Sequence, residues 1–362
     1  MVIPLPLVTK PTISSPGTGL QHLEKRTAKS WIPLTTIPLL DFLETTIADV
    51  TGYHNGDNYI FADLFSGTGI VGQTYKAKGC SVISNDIQYY SYVLSKHYIE
   101  NTPELNSELL SYFNNLEPVE GFIYNNYCEG SGSGRNYFTN YNGKKCDAIR
   151  IELECLKDNN KIDSHTYYYY LASLINSIDK YANTASVYGA FLKKIKKSAQ
   201  KDFKLELLPV INGTAGKAYN QDINRLIRDI KGDVLYLDPP YNSRQYCSNY
   251  HVLETIARYD NPVLSGKTGL RDSSDQKSLF CSKRTVCNAF DDLIRHSDFK
   301  YIFLSYNNEG LMSLDTIKDI MSQYGKYSFY TKEYKRFKAD KETNRNIAAS
   351  STTEYLHCLI KQ

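Results

Sequence analysis

Little in this chain points towards a membrane, a metal or a disulfide framework. Its 362 residues contain no apolar run long enough to cross a bilayer and no basic start leading into a long apolar stretch. Insertion and export are therefore not expected, and the cytoplasm is. The eight cysteines, at 80, 128, 146, 155, 247, 281, 287 and 358, show neither C-x-x-C spacing nor a ligand pairing with histidine. They read as reduced thiols, and no metal is expected. Charge is also scarce in net terms: 42 Lys and Arg against 39 Asp and Glu leave only +3. Bulk attraction to a polyanion is excluded, so any nucleic-acid surface must be a local patch.

What is present fits a globular protein with ample core, since 41% of residues are apolar and 22% charged. The 31 tyrosines are an excess that reads two ways. Tyrosine packs an aromatic body while its hydroxyl reaches water or phosphate, which suits a protein gripping something polar. A biased genome composition would give the same count.

Residues 1–19, rich in Pro, Thr, Ser and Gly, read as a loose arm. Leu39, Leu40, Leu43, Ile47 and Val50 have helical spacing. A polar turn at 53–58 then precedes a strand over 59–65. A helix is expected from Gly69 towards Lys78, and a second strand over 80–83 closing at Asp86. This is a β-α-β unit, normally parallel and right-handed. Residues 101–204 lose the alternation and read as an inserted, mostly helical region, with a tyrosine run at 167–170 and a lysine-rich segment at 193–204. Strand-like runs return at 205–211, 234–237 and 301–305, and a closing hairpin is expected from 328–337 with 354–360. No internal repeat is found. The fold class is α/β, an open sheet with helices on both faces, interrupted by the insertion.

Two strand ends carry the chemistry. Asp63-Leu64-Phe65-Ser66-Gly67-Thr68-Gly69 follows the first apolar strand, and Asp238-Pro239-Pro240-Tyr241 closes the run 234–237. Ligands of open α/β sheets sit beyond such carboxyl ends. Gly67 and Gly69 permit a tight turn and close approach of a ligand to the backbone. Gly67 to Gly72 also satisfies G-x-G-x-x-G, so a dinucleotide stays open on the glycines alone. The tetrad alone could be an ordinary strand-to-turn exit, because Asp-Pro initiates turns. Asp86, 17 residues after Gly69, either accepts hydrogen bonds from two ribose hydroxyls or caps a helix. Ile87 beside it could pack on an adenine face.

Taken together these strings resemble the Dam-like, D12-class N6-adenine DNA methyltransferases, which use S-adenosylmethionine (SAM). Asp63-Leu64-Phe65 before the glycines resembles the D-x-F-x-G-x-G motif of amino methyltransferases. The order of cofactor motif, long insertion and catalytic tetrad is that family's arrangement, and similarity covers about residues 40–362. Residues 181–192, 241–246 and 304–310 resemble solitary modification methylases of Type II restriction systems, including ones acting on CATG. An opening Asp separates the tetrad from the Asn-led form of protein-glutamine and RNA enzymes and from the Ser-led form of N4-cytosine enzymes. The segment before Pro38 departs from the tyrosine-rich G-x-K opening of the family; Lys29 or Trp31 would have to substitute.

The resemblance implies a Rossmann-like SAM-dependent sheet made of 20–100 and 205–362, with 101–204 as target-recognition insertion. SAM is then the methyl donor, held by Asp63, Leu64, Phe65, Gly67, Gly69, Asp86, Ile87 and Asp222, the last at the cofactor's adenine amine or simply capping a helix. An exocyclic adenine amine is a poor nucleophile because its lone pair is delocalised into the ring. The Asp238 carboxylate and the Pro239 carbonyl would accept its two N–H groups. Pro240 fixes its own φ and removes a donor, and Tyr241 would stack on the base. The base must be flipped out of double-stranded DNA, at a cost of a few kcal/mol. Candidate DNA contacts are Arg135, Lys193, Lys194, Lys196, Lys197, Arg244 and Tyr246; for the lysines the competing reading is a solvated helix face. The loop 266–271 is a further candidate. A cognate restriction endonuclease acting separately is the implied partner. Two alternatives remain open: a non-catalytic DNA-binding protein on a methylase scaffold, and an RNA adenine methyltransferase.

Overall fold

The computed structural model describes residues 36–102, 107–335 and 351–362. The arm expected over 1–19, and Lys29 and Trp31, lie outside those residues. Helix α1, Thr36–Thr51, buries Leu43 and Ile47 and leads to β1, Ile60–Asp63. Helix α2, Ile70–Ala77, crosses to β2, Ser81–Asn85, which pairs parallel with β1. After α3, Tyr89–Ser95, one π turn, Lys96–Glu100, precedes the insertion helices. These are α4, Leu109–Asn115; α5, Phe122–Tyr127; α6, Asn140–Asp158; and α7, Ser164–Asp179. The chain returns through β3, Lys217–Tyr219, α8, Ile223–Leu226, and β4, Lys231–Leu237. Two short helices, α9, Tyr246–Asn249, and α10, His251–Arg258, lead to a small hairpin, β5, Leu264–Ser265, with β6, Leu270–Arg271. The remainder is α11, Val286–His296; β7, Asp298–Asn307; α12, Leu314–Met321; β8, Gly325–Lys335; and β9, Ser351–Lys361.

The main sheet has seven strands in the order β3-β2-β1-β4-β7-β9-β8. The first five are parallel, while β9 runs antiparallel to both β7 and β8, forming the expected closing hairpin. Alternate residues of the central strands go to opposite faces. Phe61, Val234, Tyr236 and Phe303 join one core, and Ala62, Leu235, Leu237 and Leu304 the other. Both faces are covered, which is why these strands read as nearly continuous apolar runs. The winding reverses between β1 and β4, leaving a crevice beyond their carboxyl ends.

Three sequence expectations need correction. Residues 205–211 form no regular element and pair with no strand. Their amides are satisfied by side chains instead: Leu205 N–H donates to Asn114 Oδ1 at 2.9 Å, Glu206 N–H to Ser177 Oγ at 3.0 Å and Leu208 N–H to Ser173 Oγ at 3.0 Å. The edge strand is β3 instead, three residues with no apolar signal. The lysine segment at 193–204 is a loop, not a helix face. The tyrosine run at 167–170 packs inward, with Tyr170 fully buried, so many tyrosines serve the core rather than a gripping surface.

Arg150 joins the insertion to the rest. Its side chain is fully buried, with Nε donating to Ile256 O at 2.9 Å, one terminal nitrogen to Ala257 O at 3.0 Å and the other pairing with Glu154 at 2.5 Å. These bonds satisfy carbonyls at the end of α10, where α10 meets α6. Arg150→Met should cost about 2–3 kcal/mol, because it leaves those carbonyls without their donor and leaves Glu154 with only Tyr167 and Lys157. Urea denaturation checks this, and an unchanged midpoint would show that the join does not depend on Arg150.

Candidate active site

The turn after β1 is built by its glycines. Gly67 and Gly69 have φ of +50° and +76°, and Gly69 N–H closes on Ser66 O at 2.6 Å. Asp86, at the end of β2, reaches across to it: Oδ2 accepts from Gly67 N–H at 2.9 Å and Oδ1 from Gln88 N–H at 2.8 Å. The first helical residue of α3 is Tyr89, so Asp86 braces two loops rather than capping that helix directly. Asn85 ties in the third strand end, donating to Leu64 O at 3.3 Å and Gln221 O at 3.1 Å. Asp222 caps α8 through Arg225 N–H at 3.2 Å. Its capping role is therefore present, and its carboxyl still lines the cavity.

One cavity of about 330 Å³ joins these loops to the tetrad. Asp63, Leu64, Phe65, Gly67, Asp86, Ile87 and Asp222 line it together with Asp238, Pro240 and Tyr246. Gly69 shapes the turn without lining the cavity, and neither the buried Pro239 nor the half-buried Tyr241 is among its described lining. Tyr241 packs edge-on against Tyr306, ring centroids 6.4 Å apart at 84°. The 306–312 turn holds it there: Leu311 N–H donates to Tyr241 O at 3.2 Å, and Tyr306 Oη accepts from Leu311 and Met312. A side chain at Gly310 would overlap the Tyr306 ring, so the string 304–310 supports the tetrad mechanically.

The cavity is acidic. Asp63, Asp86, Asp222 and Asp238 line it, with no Lys, Arg or His among its described lining residues. Burial first, then the neighbouring Asp238 carboxylate, pushes Asp63 up to about 7, opposed by the hydrogen bond from Gly72 N–H at 3.2 Å. Burial also raises Asp86 to about 6 against the two amides it accepts from. Asp238 is raised to about 7 by the enclosing protein and then by Glu354. Its side chain nevertheless opens onto the cavity, so solvent and ligand both reach the carboxyl and temper the rise. Such a site favours a cation together with a neutral ring. It disfavours a dinucleotide, because Asp63 already occupies the Gly72 amide at the start of α2, where a pyrophosphate would sit.

SAM fits these residues. It is cationic, the volume lies in the small-ligand range, and buried Gln88 leaves its Oε1 without a partner at the cavity wall, free to accept from a ligand.

Sequence reasoning missed one wall entirely. Gln276, Ser278, Leu279 and Phe280 cover the cavity from a segment without periodicity. Glu254, 1% exposed on α10, holds that segment and the cofactor loop in register. It accepts from Tyr90 N–H at 2.9 Å, Tyr89 N–H at 3.2 Å and Gln276 Nε2 at 2.6 Å. Gln245, just after the tetrad, exchanges amide bonds with Ser278 at 3.3 and 2.9 Å. No local pattern announces such partners, since they meet only in the folded chain.

Outside the cavity, Lys193, Lys194, Lys197 and Arg244 are exposed, and Tyr246 is 41% exposed at the mouth, stacked on Tyr250 at 6.2 Å. Arg135 and Lys196 are engaged by the fold. Arg135 donates to Asn126, Gly266 and Lys267 carbonyls, and Lys196 Nζ to Thr184 O at 2.8 Å.

Asp63 binds its proton more tightly in the fold than in the unfolded chain. Its contribution to stability is therefore complete below the ordinary carboxyl value of 3.8 and is lost as pH rises through about 7. Asp63→Asn keeps an acceptor for Gly72 and has no charge to bury. It should stabilise the ligand-free protein by roughly 1–2 kcal/mol at pH 8 and by much less at pH 5. Urea melts at the two pH values check this, and an equal gain at both would remove the buried charge as the cause.

A family model described as D12 class N6 adenine-specific DNA methyltransferase matches residues 38–320. The Type II methyltransferase M.NlaIII of Neisseria lactamica is 53% identical over 328 residues, covering 90% of this chain and 97% of that protein. M.FokI of Planomicrobium okeanokoites is 40% identical over 90% of this chain but 52% of its own length. M.CviAII of Paramecium bursaria Chlorella virus 1 is 35% identical, covering 77% and 84%. No solved structure gives a significant match.

Proposed function

The chain belongs to the D12 class of N6 adenine-specific DNA methyltransferases, and from that premise we propose that it uses SAM to methylate a flipped adenine in a short double-stranded site, CATG. The observation that carries this reading is the single acidic cavity shared by the 63–69 and 238–241 strand ends. When bound, SAM supplies an electrophilic methyl group on a sulfonium.

The protein's own work is placement and proton handling. Asp63 and Asp86, drawn towards the carboxylate form by a nearby positive charge, balance that charge and orient the cofactor's polar ends. The Asp238 carboxylate accepts one N–H of the adenine amine and Pro239 O the other, which turns the nitrogen lone pair out of the ring. Asp238 then stands where it can take the proton that the methylated amine sheds. Tyr241 and Tyr246 offer faces to the extruded base. The cavity has no basic residue among its described lining, so DNA phosphates stay at the rim with Lys193, Lys194, Lys197 and Arg244. Residues 101–204 serve as the target-recognition region, and methylation protects the duplex from an endonuclease acting separately, as in Type II systems.

Asp238→Ala should lower methyl transfer by about 10²–10³-fold while duplex binding survives. Transfer persisting at the wild-type rate would remove Asp238 from the mechanism. Because the carboxylate form is the acceptor, kcat/KM should climb with pH through a limb that lies above the ordinary carboxyl value and below about 7. A flat profile from pH 4 to 8 would contradict that role. Sequencing DNA from cells expressing the chain, with detection of N6-methyladenine, should find the mark at CATG. Competition with RNA should leave duplex methylation unchanged; methyl groups appearing on the RNA would favour the other acceptor.

A further inference from the structure

The hairpin of β5 and β6 is too small to stand alone. Two residues pair on each side, Leu264 with Arg271 and Ser265 with Leu270, and an isolated two-stranded ribbon is marginal in water. The rest of the molecule holds it in place. The Arg135 guanidinium, from the insertion, donates to Lys267 O at 3.2 Å and Gly266 O at 3.1 Å while also gripping Asn126 O at 3.1 Å. Tyr127 Oη donates to Gly269 O at 2.8 Å. At the base, Arg271 forms a two-pronged pair with Asp260 at 3.0 and 2.7 Å. Gly269 has φ of +71°, and any Cβ there would lie 2.8 Å from Arg135 Nε.

These contacts present a tip that contributes nothing to the core. Ser265, Gly266 and Lys267 are exposed, and Lys267 has no ion-pair partner among the described residues. Val263 at the foot is 91% exposed, the most exposed of the large apolar residues described.

Hydrogen bonds link the residues that clamp the tip to the elements next to the tetrad. Asn136, next to Arg135, is joined to the lysine loop through Lys193 O at 3.4 Å and by Asn183 Nδ2 at 2.8 Å. That loop is joined in turn to the helices after the tetrad, Tyr188 N–H donating to Asn249 O at 2.7 Å and His251 Nε2 meeting Tyr188 O at 3.0 Å. The hairpin, the lysine loop and the helices that carry Tyr246 are thus tied to one another through Arg135, Asn136 and Tyr188.

We propose that the hairpin at Leu264–Arg271 is a rigid DNA-contacting finger outside the insertion, its Lys267 ammonium set against a backbone phosphate of the target duplex. The proposal rests on the reading that duplex DNA is the substrate. Clamping by Arg135 keeps the tip in register with the insertion, so two parts of the chain remote in sequence grip one stretch of DNA.

The test is fluorescence anisotropy of a labelled CATG duplex with the full chain, between about 50 and 200 mM salt. Lys267→Ala and Lys267→Glu are compared with Lys300→Glu, an exposed lysine near the amino end of β7, and calorimetry with SAM shows that each variant is folded. Lys267→Ala should weaken binding several-fold and reduce the slope of log K against log salt by about 0.9, the value for one phosphate. Lys267→Glu should weaken it further, and Lys300→Glu should match the wild type. Unchanged affinity and slope in both Lys267 variants, or an equal loss in Lys300→Glu, overturns the finger. A wild-type protein that binds no duplex at all overturns the substrate reading instead, which the same titration distinguishes.

Discussion

Two carboxyl groups held side by side at the seam between β1 and β4 are what the rest of the site depends on. Asp63 is the last residue of β1, in register with Tyr236, and Asp238 follows two residues later, just past the end of the neighbouring strand. The parallel pairing that builds the sheet therefore brings the two acids together. The Gly72 amide at the start of α2 relieves Asp63 only in part, and no basic residue is among the described lining of the cavity, so the ligand-free fold carries an unmet demand for positive charge. A bound cation meets that demand, and binding and electrostatic relief become one event.

The surrounding loops preserve this arrangement by spending backbone amides on it. Gly67 and Gln88 hold Asp86, Gly72 holds Asp63, and Asn85 ties three strand ends together. Glu254 then fixes the covering segment 274–281 to the cofactor loop. In the proposed reading, acid inside and lysine outside divide the work electrostatically, admitting a neutral base and a cation while the phosphodiester backbone stays on the rim.

Much of this was legible in the chain because it is local. A strand ending in Asp and two glycines, and another ending in Asp-Pro-Pro-Tyr, declare both their conformation and their chemistry within seven residues. The misread parts depend on partners. Residues 205–211 have a strand's apolarity, yet Asn114, Ser173 and Ser177 take their amides before any strand can. Lys217 to Tyr219 form a true edge strand because β2 offers free groups there, not because of their own preference. Glu254, Gln276 and Arg135 owe their roles to residues more than 20, and often more than 100, positions away.

The central claim concerns the charge state of the paired acids, and it is read most directly by carbon-detected NMR titration of the Asp63 and Asp238 carboxyls, assigned with single Asp→Asn variants. Without ligand, Asp63 should titrate near 7 and the solvent-reached Asp238 above the ordinary carboxyl value but below Asp63, and saturation with SAM should lower both by at least about one unit. Ordinary values near 4 in the free protein, indifferent to SAM, would contradict the account.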